Sequence, residues 1–367
     1  MAVPRLRPDD LEDFVLGATL LGSGGGGDPA LYAHLLLARL PPAGVALQPL
    51  DPFSDAVVVP VGMIGATSVL TEKLPHGGEI AQAVAAICRW STTTADAVMP
   101  VEAAGLNAAL AVVTAVELGL PLVDADLMGR ALPRFDQLTA AVADEGAPSL
   151  LRSAALVEPG GQVLVQDNAS AQELERTVRS YVAQAGGWAG AAFGPFVASE
   201  LAGRVCEGTL ARALDLGRAF GSPEANRGPA ARAAALGGRV LAAGRVLEVV
   251  RGVSGGFSHG SFAVADRSGA MVRIEAENEY LVAIVDGEPV ATCPDLLCVL
   301  DGRTAQPVAA DRLRAGDDVQ VLTLPGPAWW TALPGRLRAV GPRAFGYDID
   351  AVLLPDRRDV VGLGGRR

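Results

Sequence analysis

The chain has 367 residues, 50% hydrophobic and 19% charged, with 30 Lys+Arg against 41 Asp+Glu and a formal net charge of −11. That hydrophobicity excludes a disordered chain, and the acidic balance excludes a nucleic-acid binder, which needs a basic surplus to neutralise phosphates. Gly, Pro or charge interrupts every apolar run well before about 18 residues, so no membrane association is expected.

Met1–Asp10 contains no apolar signal-peptide core, and Cys88, Cys206, Cys293 and Cys298 form no Cys-x-x-Cys pair. A cytoplasmic protein without a disulfide framework is therefore expected. Asp9–Leu21 carries apolar positions at helical spacing. Gly22-Ser23-Gly24-Gly25-Gly26-Gly27 breaks that helix, and Asp28-Pro29 starts another that runs to about Leu40. Apolar runs at Val45–Leu50, Ala56–Gly62, Ala97–Val101 and Pro121–Val123 read as buried strands. Helical patterns at Glu79–Trp90 and Leu106–Leu118 separate the later ones. This alternation predicts an α/β N-terminal domain over residues 1–165, a mostly parallel sheet covered by helices.

From about Gln162 the pattern changes. Helices at Ala169–Gln184 and Glu207–Phe220 flank a Gly/Ala-rich apolar stretch, Gly187–Ala198, and Gly221–Gly228 reads as a loop. After Leu236 come short apolar runs: Val240–Val250, Ser261–Val264, Val272–Glu275, Tyr280–Val285, Leu296–Leu300, Asp318–Leu324 and Arg336–Val340. With turns at Asp286-Gly287 and Asp301-Gly302, they predict a β-rich C-terminal domain over residues 166–367. The tail Arg357–Arg367 reads as frayed.

Ligands of parallel α/β sheets bind beyond the carboxyl ends of the strands. Three polar clusters follow the first-domain strands: Thr71-Glu72-Lys73 through Glu79, Glu102 through Asn107, and Asp124-Ala125-Asp126 through Arg130. One such cluster alone reads as a surface loop, but three on one sheet edge favour a shared site. The glycine run has two readings, an anion cradle of backbone N–H groups or a tight interhelical turn. No Gly-Lys-Ser/Thr follows it, so no nucleotide cofactor is expected. In the second domain, Glu277-Asn278-Glu279 precedes an apolar run and Cys293-Pro294-Asp295 follows one.

The three histidines (His34, His76 and His259) have no zinc-site spacing, and no Gly-x-Ser-x-Gly elbow occurs. Lys73 is the only lysine among the 30 basic residues. Lysine can lose its proton and arginine cannot, so Lys73 is either a chance survivor or a residue with chemistry of its own.

Together these segments resemble the S-methyl thiohydantoin desulfurase-like family, whose members often stand beside or fused to hydantoinase A-type subunits. The resemblance is carried by Leu21–Pro29, Thr71–Lys73, Glu102–Asn107, Leu120–Pro133, Glu277–Leu281, Pro294–Leu297 and Val340–Asp348, and it spans nearly the whole chain. Ala103-Ala104 stands where the family commonly has two glycines, and Cys293 where a less reactive residue is expected. The resemblance implies the same two-domain fold and a hydrolase acting on a small cyclic amide or thioamide of the hydantoin or thiohydantoin type.

In that reading Asp124 or Asp126 is base or metal ligand, Lys73 the cation and Asn107 an orienting donor, with Glu102 in the same catalytic set. Gly24, Gly25, Gly26 and Gly27 cradle an anionic group, and Arg130, Asn278, Glu279 and Asp295 contact substrate. A divalent metal, zinc foremost, would serve as Lewis acid with an open ligand set. The competing reading is a non-catalytic, small-molecule-binding subunit of a hydantoinase-type complex, and a homo-oligomer is expected in either case.

Overall fold

The computed structural model describes residues 3–66, 69–70, 72–142 and 148–355. Thr71 and the tail Arg357–Arg367 lie outside the described residues. The chain divides into two compact units, one of Met1–Gly22 with Gly26–Arg218, the other of Ser23–Gly25 with Ala219–Arg367.

The first unit carries β1 (Arg5–Leu6), α1 (Leu11–Leu21), α2 (Ala30–Arg39), β2 (Val45–Gln48), β3 (Val57–Gly65), α3 (Glu79–Ser91), β4 (Ala97–Pro100) and α4 (Gly105–Leu118). There follow β5 (Leu122–Val123), β6 (Ala125–Asp126), β7 (Ala154–Val157), β8 (Val163–Gln166), α5 (Ala171–Gln184), β9 (Trp188–Phe193), β10 (Phe196–Val197), α6 (Ala198–Leu201), β11 (Cys206–Glu207) and α7 (Thr209–Gly221), whose residues from Ala219 on belong to the second unit. The main sheet runs β1-β2-β5-β4-β3-β9-β7-β8, with β10 also on β3.

Only the β2-β5-β4-β3 part is parallel; β1, β9, β7, β8 and β10 join antiparallel. The sheet is therefore mixed rather than mostly parallel. The difference lies in β7, β8 and β9: β7 and β8 form an antiparallel hairpin, and after α5 the chain returns as β9, antiparallel to both β3 and β7. β3 is apolar on both faces because it is central. Its Pro60 falls between Val58, which pairs with β10, and Val61, which pairs with β9, where the missing N–H breaks no rung on that side. α4 is apolar except for Asn107, Thr114 and Glu117, and it is buried through Ala115. Gly17 and Gly217 let α1 and α7 touch, since a Cβ on either would lie under 2 Å from the other helix's backbone, at 1.6 Å from Ala213 O and 1.8 Å from Asp13 O.

The sequence boundary at residues 165 and 166 falls inside β8, whereas the first compact unit continues to Arg218. β9 is the reason: Trp188–Phe193 pairs with β3 and β7, so the Gly/Ala-rich stretch completes the first sheet.

The second unit contains α8 (Pro229–Ala235), β12 (Arg239–Ser254), β13 (Phe257–Asp266), β14 (Met271–Glu277), β15 (Glu279–Val285), β16 (Glu288–Thr292), β17 (Leu296–Asp301), β18 (Asp318–Leu324), α9 (Ala328–Thr331) and α10 (Pro334–Val340). Its seven-stranded antiparallel sheet runs β16-β15-β14-β13-β12-β18-β17 and curls around a core that includes Phe262, Ile274, Tyr280, Leu297 and Val321. Arg336–Val340, expected as a strand, is the helix α10, opened by Pro334 at a first-turn position that suits proline. Among the described residues no helix is long and apolar enough to cross a membrane.

Candidate functional site

The polar residues of the first unit gather where β3, β4 and β5 end. α4 begins at this edge, just after Glu102-Ala103-Ala104. Gly105 opens the helix at φ +52, and a Cβ there would lie 2.1 Å from Gly26 O, so only glycine lets the second half of the glycine run touch the helix. Gly26 O accepts from the Leu106 N–H at 2.9 Å, one of the otherwise orphaned first-turn donors.

Asn107 stands on the first turn of α4. Its Oδ1 accepts from the Met63 N–H of β3 at 2.7 Å, and its Nδ2 donates to Glu102 Oε1 at 2.8 Å. Because Oδ1 is occupied by an N–H, the amide cannot flip without setting donor against donor, so Nδ2 is held on the carboxylate. Glu102 is 8% exposed.

Asp126 supports this pair from behind. It is 0% exposed, and its carboxylate accepts from the amides of Ala103 (2.5 Å), Met128 (3.0 Å) and Gly129 (2.5 Å). Burial pushes its carboxyl up to about 7 despite the three amide donors, and the nearby charge of Asp124 adds to the rise. Asp124 turns elsewhere: its Oδ1 accepts from Leu210 N at 2.7 Å and Ala211 N at 3.2 Å, on the first turn of α7. Burial also raises its carboxyl above the ordinary value, against those two amides. The one-residue spacing thus sends the aspartates apart, Asp124 to the first turn of α7 and Asp126 to the loop amides before α4 and after β6, and each is held by backbone amides. Arg130 is fully buried, with Nε donating to Ala131 O at 3.0 Å.

Lys73 does not join this group. Its Nζ donates to Ala185 O, at the end of α5, and pairs with Glu158 Oε2 at 3.4 Å. Sequence reasoning misses Glu158, although Glu158-Pro159-Gly160-Gly161 after an apolar run is a turn signal that could mark it. Met63 leaves no signal at all, because it acts through its backbone.

In the second unit, the expected substrate contacts carry structural bonds. Ser23 Oγ donates to Leu297 O at 2.9 Å, and Gly24 O accepts from Ala310 N. A Cβ on Gly24 would lie 2.3 Å from the Tyr280 ring, and one on Gly25 2.2 Å from Glu279 Oε1. Asn278, at φ 57, turns the β14–β15 hairpin and accepts from Ser258 N at 2.9 Å. Asp295 accepts from Gly326 N at 2.8 Å and Leu354 N at 2.6 Å. His259 lies opposite Glu277 across β13 and β14, with Nδ1 3.8 Å from its Oε2.

A zinc ion needs three or more His, Cys, Asp or Glu donors converging. Among the described residues no such group can hold a metal ion, and no step is assigned to one.

The fold and this edge cluster define an α/β protein with a buried carboxylate–amide pair at the ends of its parallel strands, joined to an antiparallel β unit. The chain belongs to the S-Me-THD-like family: the model of its N-terminal domain matches residues 9–168 and that of its C-terminal domain residues 169–354. Among solved structures, it is similar to the crystal structure of a protein from Chromobacterium violaceum. That protein is 24% identical, the match covers 96% of this chain and 100% of that one, and the TM-score is 0.74. At that identity the likeness is one of fold. No curated protein matches the chain.

Proposed function

We propose that this chain hydrolyses a small cyclic amide or thioamide of the thiohydantoin or hydantoin type, with Glu102 as the general base. The family name connects the chain to thiohydantoin chemistry. What carries the residue assignment is the Met63–Asn107–Glu102 chain of hydrogen bonds, which fixes a nearly buried carboxylate at the sheet edge where α/β proteins bind ligands.

For a thiohydantoin, Glu102 takes a proton from water while the oxygen adds to the C=S carbon and the π electrons move to sulfur. Protonated Glu102 then returns its proton to sulfur, the C–S bond breaks, and the hydroxyl proton passes to the departing hydrosulfide as the C=O forms, which gives hydrogen sulfide and restores the carboxylate. In sum, the thiocarbonyl and one water become a carbonyl and one hydrogen sulfide. Asn107 holds the carboxylate in one orientation. Asp126 is a positioning residue, because it grips the Ala103 amide next to Glu102.

The test is the purified chain with a thiohydantoin and a hydantoin, read by sulfide release and by ring opening. Glu102→Gln should lose at least about a hundredfold in turnover, the low end for removal of a general base. Binding without turnover in the parent, with turnover appearing only beside a hydantoinase-type subunit, would make the chain a binding subunit instead.

A further inference from the structure

In the second unit, Arg232 on α8 is only 7% exposed. Its guanidinium lies over the Phe220 ring, 4.9 Å from the centroid. Nη1 donates to Gln320 Oε1 over a long 3.4 Å, and the buried Nε has no acceptor among the described residues. Gln320 turns its own amide toward Gly302 O at 3.5 Å. No Asp or Glu among the described residues pairs with Arg232.

Arginine has five N–H donors and stays charged, so a buried one is ordinarily met by a carboxylate or phosphate. Here one donor is weakly engaged. The ring face under the guanidinium offsets part of the desolvation, but it leaves the remaining in-plane donors unused. Burial with no acid beside it also pulls the Arg232 pKa below its ordinary value. The Phe220 ring holds one side of the guanidinium, and beyond the long Nη1 bond its N–H groups meet no acceptor among the described residues. A guanidinium with N–H groups to spare can meet two oxygens of one oxyanion.

We propose that Arg232 anchors an anion-binding site in the C-terminal unit, taking the carboxylate or phosphate group of a small ligand. The site is independent of the hydrolase assignment.

The test is the melting temperature of the full chain in sulfate, phosphate, acetate and malonate, each against chloride at equal ionic strength. The parent should melt higher in at least one oxyanion. Arg232→Gln should lose that rise, and Arg232→Lys should retain part of it. A response confined to sulfate and phosphate assigns a phosphate group; one confined to acetate and malonate assigns a carboxylate. A parent indifferent to all four, or an Arg232→Gln variant that responds as the parent does, overturns the proposal and leaves Arg232 as packing on Phe220. Should Arg232→Gln not fold, parent crystals soaked in selenate and in 4-bromobenzoate decide. An anomalous peak that places an oxygen of the anion at hydrogen-bond distance from the guanidinium supports the site, and no such peak with either anion overturns it.

Discussion

The ammonium of Lys73 caps the carbonyl of Ala185, the residue that closes α5, while pairing with Glu158. A cation at a helix C-terminus is favoured by the helix dipole, and the Lys73 side chain, 36% exposed, keeps part of its hydration there. Gly186 follows with φ +85, and a Cβ on it would lie 2.9 Å from Nζ, so the ammonium fills a tight corner. Lys73→Ala should cost about 0.5–1 kcal/mol. Lys73→Arg should melt slightly lower than the parent, because the planar fork is bulkier than an ammonium. Both should keep parental turnover. Lys73→Arg folding as the parent does while losing activity would return Lys73 to the reaction.

Asn107→Asp keeps the acceptor for the Met63 N–H but replaces the donor to Glu102 with a second carboxylate. Two like charges at that distance raise the pKa of the pair. The acid limb of the pH–rate profile should therefore move to higher pH, with turnover reduced at neutral pH. A profile unchanged from the parent's would remove Asn107 from the site.

Asp126 gives stability its own pH dependence. Its folded pKa, about 7, lies above the ordinary value of 3.8, so the folded protein holds this proton more tightly than the unfolded chain does. The contribution is complete below the unfolded value and is lost as pH rises through about 7. It amounts to on the order of 4 kcal/mol at most. Melting temperatures between pH 5 and 8 should fall with rising pH in the parent and flatten in Asp126→Asn. Parallel curves would refute the assignment.

Gly105→Ala places a methyl 2.1 Å from Gly26 O at a left-handed φ. The first turn of α4 must then move and carry Asn107 with it. A loss of about 2 kcal/mol or more, with reduced turnover, is expected by calorimetry and assay. Gly26→Ala meets only ordinary contacts, at 3.4 Å, and should cost about 1 kcal/mol for its positive φ. Equal effects of the two would sink the argument that the close approach is what requires Gly105.

Asp295 holds the Gly326 and Leu354 amides through separate oxygens. Asp295→Ala strands two donors and should lose about 2–4 kcal/mol, while Asp295→Asn, which keeps one acceptor, should lose less. If Asp295→Ala instead left the melting temperature intact and weakened substrate affinity, the residue would be a ligand contact.

Periodicity and turn chemistry determined a good deal by themselves. Alternating runs specify β2, β3, β4 and α4, because burial on both sides of a central strand or helix leaves a continuous apolar imprint. Polar clusters after those runs specify the edge that holds Glu102, Asn107 and Asp126, and the family resemblance was legible in the same segments. What remained for the tertiary structure depends on partners distant in sequence. Trp188–Phe193 reads as an apolar stretch, and nothing local says that its edge will find β3 rather than the second sheet. Arg336–Val340 has too few residues for its period to separate strand from helix, and Pro334 decided it. Ser23–Gly25 and Gly26–Gly27 are one glycine run in sequence but belong to different units, since their contacts are set by Tyr280 and Leu297 on one side and Gly105 on the other. Composition marked Lys73 as unusual, yet only the fold brought the carbonyl of Ala185 to its ammonium, because a helix end presents its unbonded carbonyls to whatever cation the chain delivers there.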